Sequence, residues 1–225
     1  MAAKNPKTLT IDAVSDLVCP WCYIGKKRLE SALGNVAGPV LIRWHPFELN
    51  PDVPVGGMPL DEYLDSRFGG REVVEPALEQ LAVLGSGNGI AFDFDRIERV
   101  PNTLNAHRLI RYAHVSGRQN VLIDLLFRGF FEEGRDIGDP EVLSKLAADA
   151  GLKEQKIRQL LGGNEMAEEI RNEQARAREL GIIGVPNYIV NNRFAVSGAQ
   201  DPDSFLEAFD RAMFGTGRAM SRVLH

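Results

Sequence analysis

The chain of 225 residues carries a formal net charge of −5, with 44% hydrophobic and 25% charged residues, an ordinary balance for a soluble globular protein. At 24.9 kDa it is long enough to bury a full core, as one large domain or two small ones. The acidic balance argues against non-specific binding to nucleic acid or an anionic membrane; no segment approaches the ~20 apolar residues of a spanning helix; and MAAKNPKTLTIDAV has no signal-peptide stretch, so the cytoplasm is the expected location.

In chain order, Thr8–Asp16 places Leu9, Ile11 and Ala13 on one face and reads as a strand. Pro20 suits a first helical position and Gly34 a helix stop, with Ile24, Lys27, Arg28 and Ala32 fitting an amphipathic helix between them. Val40–Leu49 is a second strand. Strand, helix, strand opens a βαβ unit with a parallel pair.

The middle of the chain changes character. Pro59–Phe68, Val73–Leu84, Thr103–Ser116, Gln119–Glu132, Pro140–Ala150 and Glu165–Leu180 read as helices. Pro76 predicts that the second of these is kinked or starts later. Asp139 is a cap with Pro140 behind it, and Gly151 and Gly181 are stops. The SGNG stretch at Ser86–Gly89 lacks the Lys-Ser/Thr ending and preceding strand of a phosphate loop, so it reads as a turn.

Strand signals return at Pro186–Val196, where Asn191-Asn192 predicts a two-residue hairpin turn. A last helix, Asp203–Phe214, follows Asp201-Pro202. The order is βαβ, a helical block, then ββα. It predicts an α/β fold split by an insertion, with segments 1–54 and 181–225 forming the halves of one domain and 55–180 a helical domain between them.

The chain has two cysteines, Cys19 and Cys22, in the string CPWC. A pair in the cytoplasm is more often transient and catalytic than structural. At the N-terminus of a helix the unpaired N–H groups and the dipole favour an anion. Cys19 is therefore the expected nucleophile and Cys22, one turn in, the resolving thiol. Pro20 fixes the backbone between them. Trp21 is either a flat apolar platform for substrate or a packed ring. A structural clip would close too short a loop to gain much chain entropy. Zinc wants about four ligands, and His107 and His114 lie seven residues apart on one predicted helix, so no metal is expected. Gly184-Val185-Pro186 stands before the hairpin. A trans proline opening a strand is the commoner arrangement, whereas a cis bond would present the Val185 backbone as a short edge beside Cys19.

The strings CPWCYIGKKRLE, WHPFELNP, NTLNAHRL and GVPNYIVNNRFAVSGAQ together resemble the DsbA family of thioredoxin-fold oxidoreductases, and more finely its FrnE-like branch. That branch is grouped with 2-hydroxychromene-2-carboxylate isomerases and kappa-class glutathione transferases. The resemblance runs from about Leu9 to Phe214. It implies a thioredoxin fold with a helical insertion, a redox-active Cys19–Cys22 pair and a cis-proline at Pro186. It also implies a substrate groove beside Pro20, Trp21 and Val185 that takes a peptide thiol or glutathione. Ser197–Gln200 lies where relatives hold the γ-glutamyl end of glutathione, which makes Ser197 and Gln200 expected contacts. His107 sits on a helix that covers the cleft in the family, which makes it a candidate substrate contact, with a structural histidine as the leading reading; His45, beside Trp44, could lie near the same cleft.

The resulting expectation is a thiol–disulfide oxidoreductase acting on protein or small-molecule disulfides and thiols. It would have no resident cofactor and could use glutathione as a co-substrate. Its potential is expected between about −120 mV for DsbA and about −270 mV for thioredoxin. The alternatives are a glutathione-dependent isomerase or transferase on a small aromatic compound, and a redox-linked chaperone for unfolded chains. A homodimer is compatible with the sequence.

Overall fold

The computed structural model describes residues 8–215. Strand β1, Leu9–Ser15, is buried on both faces because it lies inside a four-stranded sheet. It pairs in parallel with β2, Val40–Pro46, in the register Leu9↔Val40 to Ser15↔Pro46. Helix α1, Pro20–Leu33, makes the crossover between them. At the other end of the chain, β5 (Asn187–Val190) runs antiparallel to β1 and β6 (Phe194–Ser197) closes the sheet in the order β2-β1-β5-β6. Helix α9, Pro202–Phe214, starts at Asp201, whose carboxylate accepts the Ser204 N–H. It packs beside α1.

Between β2 and β5 the chain forms α2 (Leu60–Phe68), α3 (Arg71–Ser86), α4 (Leu104–Val115), α5 (Gln119–Phe131), α6 (Pro140–Asp149), α7 (Glu154–Leu161) and α8 (Ala167–Glu179). Two short strands, β3 (Met58–Pro59) and β4 (Arg99–Val100), pair within this block. One continuous core joins β1 and α1 to α4, α5, α6 and α9 through Ile11, Ile24, Leu109, Phe127, Leu146 and Phe205. A smaller cluster of Val14, Phe47, Ala177, Ile182 and Ile189 seals the other face of the sheet.

Four local expectations change. Strand β2 ends at Pro46, not Leu49, because side chains take over its continuation: Glu48 N–H goes to Gln174 and Leu49 N–H to Asp16. Helix α3 starts earlier than expected and runs through Pro76. There the lost bond is the one to the carbonyl of Glu72, an exposed residue in the first turn whose carbonyl water can satisfy. Helix α7 had no advance signal, having only Ile157 and Leu160 as buried anchors. The hairpin holds Asn191 and Asn192 at φ 49° and 52°, but Val190 pairs with Phe194, so Arg193 joins them in a three-residue loop.

Helix α1 is clamped from two sides. Tyr23 stacks on Phe127 of α5 at 5.0 Å between centroids and donates to Glu132 at 2.6 Å. Lys26, fully buried, pairs with Glu30 and with Asp124 of α5. On the sheet side, Gly25 permits contact that no side chain would. A Cβ there would stand 2.5 Å from the Tyr188 hydroxyl and 3.1 Å from Cγ of Pro186. Tyr188 is itself fully buried, edge-on to Phe205, and has nowhere to retreat.

Replacing a helix-interior glycine by alanine ordinarily gains roughly 0.5–1 kcal/mol. Gly25→Ala is expected to do the reverse, because overpacking here costs about 1–3 kcal/mol. A denaturant melt giving equal or greater stability for Gly25→Ala would show that α1 and β5 are not so tightly apposed.

Candidate active site

Cys19 is the N-cap of α1, at φ −95° and ψ 112°, and Pro20 takes the first helical position. Its carbonyl accepts the N–H of Cys22 at 3.0 Å and of Tyr23 at 3.4 Å, which starts the helix. The side chain is left at the helix N-terminus among unpaired N–H groups. Its Sγ donates to the carbonyl of Val185 at 3.7 Å, bridging 166 residues of sequence. The Val185–Pro186 peptide is cis. Pro186 is buried, and its carbonyl accepts the Gly198 N–H at 2.8 Å.

Cys22 lies wholly inside, and both cysteines are free thiols. The Asp16 N–H donates to its sulfur at 3.5 Å. Burial pushes the Cys22 thiol well above its usual range, and the neighbouring Cys19 adds to the rise; the Ser15 hydroxyl and the Asp16 N–H oppose it. Tyr188, behind the pair, is also pushed up, first by burial and then by the two sulfurs. The arrangement therefore divides the thiols: one faces a backbone edge, and the other is held protonated behind it.

Of the other expected residues, Trp21 is 46% exposed and so is not a packed ring. Pro20 is half-buried beside it. Ser197 and Gln200 are exposed. Ser197 Oγ accepts from Asn187 at 2.8 Å, and Gln200 donates to the Ser197 carbonyl at 2.8 Å. The Gly198–Pro186 bond sets this stretch next to Pro186. Arg28 ties it to α1 through the carbonyl of Ala199 at 2.7 Å.

Both histidines are held by carboxylates, and for His107 the substrate-contact alternative is not supported. His107 is 3% exposed and turns inward, its Nε2 3.3 Å from Oδ1 of Asp16. A ring so buried does not reach a substrate in the groove, because α4 packs it against the strand-to-helix junction. His45 is occupied on both sides, by Asp12 at 2.9 Å and by Glu173 of α8 at 2.6 Å. It lines a charged groove with Arg43 and Arg111 and also the small cavity beside Ser15 and His107.

Three neighbours of Cys22 went unnoticed in the sequence: Ser15, Asp16 and Tyr188. Asp16 had a readable signal, an acidic residue in the otherwise apolar LVC approach to the pair. Its Oδ1 accepts the Leu17 N–H and its Oδ2 the Leu49 N–H, each at 2.7 Å. It thereby knots the ends of β1 and β2 beneath the cysteines.

A family model described as a DSBA-like thioredoxin domain matches residues 10–210. The uncharacterized protein YwbO of Bacillus subtilis is 27% identical over 202 residues, 89% of this chain and 96% of its own. The crystal structure of a "probable DsbA oxidoreductase" from Streptomyces coelicolor superposes with a TM-score of 0.84 at 30% identity, covering 95% of this chain and 93% of that one. The cytosolic disulfide reductase DsbM from Pseudomonas aeruginosa, solved with GSH, shares the fold at a TM-score of 0.61 and 22% identity, covering 91% and 95%.

The raised Cys22 pKa links stability to pH. An unfolded thiol ionises near the usual 9.0, while the folded one stays protonated. The unfolded state therefore gains stability as pH rises past about 9, at up to ~1.4 kcal/mol per pH unit. Chemical denaturation of the reduced protein between pH 7 and 10 should show this loss, and Cys22→Ala should remove it. Parallel curves for the two proteins would contradict the burial assigned to Cys22.

Proposed function

The chain belongs to the DSBA-like thioredoxin domain family, and on that premise we propose that it is a thiol–disulfide oxidoreductase whose Cys19–Cys22 pair cycles between dithiol and disulfide. The observation that carries this reading is the single contact of Cys19 Sγ with the Val185 carbonyl, at the start of α1 and with Cys22 directly behind. In the reducing direction the Cys19 thiolate attacks a substrate disulfide and forms a mixed disulfide. Cys22 then attacks Cys19 and releases the substrate thiol.

Each surrounding group has a part in this scheme. Val185 offers its backbone edge to the chain that carries the substrate sulfur, beside the cis Pro186. The exposed Trp21 gives an apolar platform next to that edge. Ser197 and Gln200 are proposed as polar contacts for a small thiol such as glutathione, which serves as co-substrate. The glutathione in the DsbM structure supports that choice. A cytoplasmic location agrees with a reductant of this kind. A second reading, glutathione-dependent turnover of a flat aromatic compound, draws on the exposed Trp21 ring.

One pair of variants tests both readings against a small disulfide-bonded protein. Cys19→Ser is expected to abolish disulfide exchange, and Cys22→Ser to accumulate a mixed disulfide visible by mass. An unchanged exchange rate in Cys19→Ser overturns the proposal. Glutathione-dependent turnover of an aromatic substrate that survives in Cys22→Ser would favour the second reading.

A further inference from the structure

Arg28 stands on α1 one turn after Gly25 and is half-buried. Two neutral groups hold its guanidinium: Nε donates to Oδ1 of Asn88 at 3.2 Å, and Nη1 donates to the Ala199 carbonyl at 2.7 Å. Asn88 is itself fixed, because its amide nitrogen donates to the Leu84 carbonyl at 2.7 Å. The Ser86–Gly89 stretch thus supplies one support of Arg28, and the Ser197–Gln200 stretch the other. A side chain held at two points has given up most of its rotamer freedom before a ligand arrives.

What the guanidinium lacks is an opposite charge. Both of its partners are uncharged, and among the described residues no carboxylate forms an ion pair with it. Lys26 of the same helix, by contrast, is matched by Glu30 and Asp124. The carboxylates nearest in sequence to Arg28 and Ala199 are engaged elsewhere: Glu30 by Lys26 and Lys27, and Asp201 by the N–H and hydroxyl of Ser204. A guanidinium has five N–H bonds to give. Nη2 makes no bond within the protein and is not enclosed, so it opens to solvent. A partly buried charge without a counter-charge is costly, and an anionic ligand removes that cost.

The place of this cation suits a small thiol. A Cβ at Gly25 would stand 3.1 Å from Cγ of Pro186 and 3.4 Å from Cα of Ala199. The cis-proline and the segment gripped by Arg28 therefore meet α1 at one level. Long side chains on a helix lean toward its N-terminus, which brings the guanidinium back to that level and onto the Ala199 carbonyl. From Cys19 to Gly25 the helix rises about 9 Å. A tripeptide extends to roughly 10 Å. A thiol peptide with its sulfur at Cys19 can thus set a terminal carboxylate against Nη2.

We propose that Arg28 is the carboxylate-binding residue of this site, and that it selects acidic thiols such as glutathione over neutral or cationic ones. This builds on the glutathione co-substrate reading above and names the group that does the selecting. Calorimetric titration of the reduced full chain with reduced glutathione and with its diethyl ester tests it. The free acid is expected to bind roughly threefold to tenfold more tightly than the diester, and added salt should narrow the gap. In Arg28→Gln the two ligands should bind alike. Arg28→Lys, which keeps the charge but not the fork, should restore part of the gap. The glycine monoester assigns the end that is held: full affinity puts the γ-glutamyl carboxylate on Arg28, and diester-like affinity puts the glycine carboxylate there. A residue that only positioned the Ser197–Gln200 stretch would lower both affinities together; an unchanged ratio in Arg28→Gln therefore overturns the proposal. Equal affinity for acid and diester in the unaltered protein also overturns it, and needs no variant to fold. Absence of glutathione binding with disulfide exchange intact would instead overturn the co-substrate reading.

Discussion

The site depends on how closely α1 approaches β5. Gly25 has no side chain, and the space it leaves is filled by the Tyr188 hydroxyl and the ring of Pro186. That contact brings the turn before β5 up to the first turn of α1, and only then does Cys19 meet the Val185 carbonyl. A helix displaced by one methyl group would carry its N-terminus away from that edge. The thiols are thus placed by packing one turn further along, and no side-chain cap is needed to hold Cys19 where it is.

The helical block works on the same helix from the opposite side. Tyr23 is stacked against Phe127 and Phe131 and tied to Glu132, and Lys26 is buried against Asp124. These contacts alternate along α1 with those made by Gly25 and Arg28 toward β5 and the Ser197–Gln200 stretch. A buried lysine is costly unless its charge is matched. Here Glu30 of α1 itself and Asp124 of α5 match it, and the Asp124 pair ties α1 to α5. The insertion therefore acts as the second jaw of a clamp whose first jaw is the sheet.

Much of this was legible in the sequence. The βαβ and ββα halves could be read from periodicity and from Pro20, Gly34, Asp201 and the Asn191-Asn192 pair, since those residues act locally. The thiol pair was legible because only two cysteines exist and their spacing fits a helical turn. What could not be read depends on distant packing. His107 could be read either as structural or as a substrate contact, because nothing in NTLNAHRL tells which face of that helix turns toward Asp16. Likewise β2 ends early because Gln174 and Asp16 supply its acceptors, and Gln174 lies 126 residues away. Ser15 read as one more position of a strand. That it is buried without a hydrogen-bond partner shows only once α1 and α4 are packed on β1.

The burial that separates the two thiols also creates a difficulty. Sinking Cys22 shields it completely and leaves Cys19, 5% exposed at the helix N-terminus, as the thiol nearer the surface. It also makes the Cys22 proton hard to remove, because a thiolate in that position loses the solvation of water. The Asp16 N–H, donating to the sulfur, and the Ser15 hydroxyl oppose that effect without cancelling it, so the thiol is held above its usual range. The same packing that shields Cys22 therefore keeps it protonated, while Cys19 stays at the helix N-terminus facing the Val185 carbonyl.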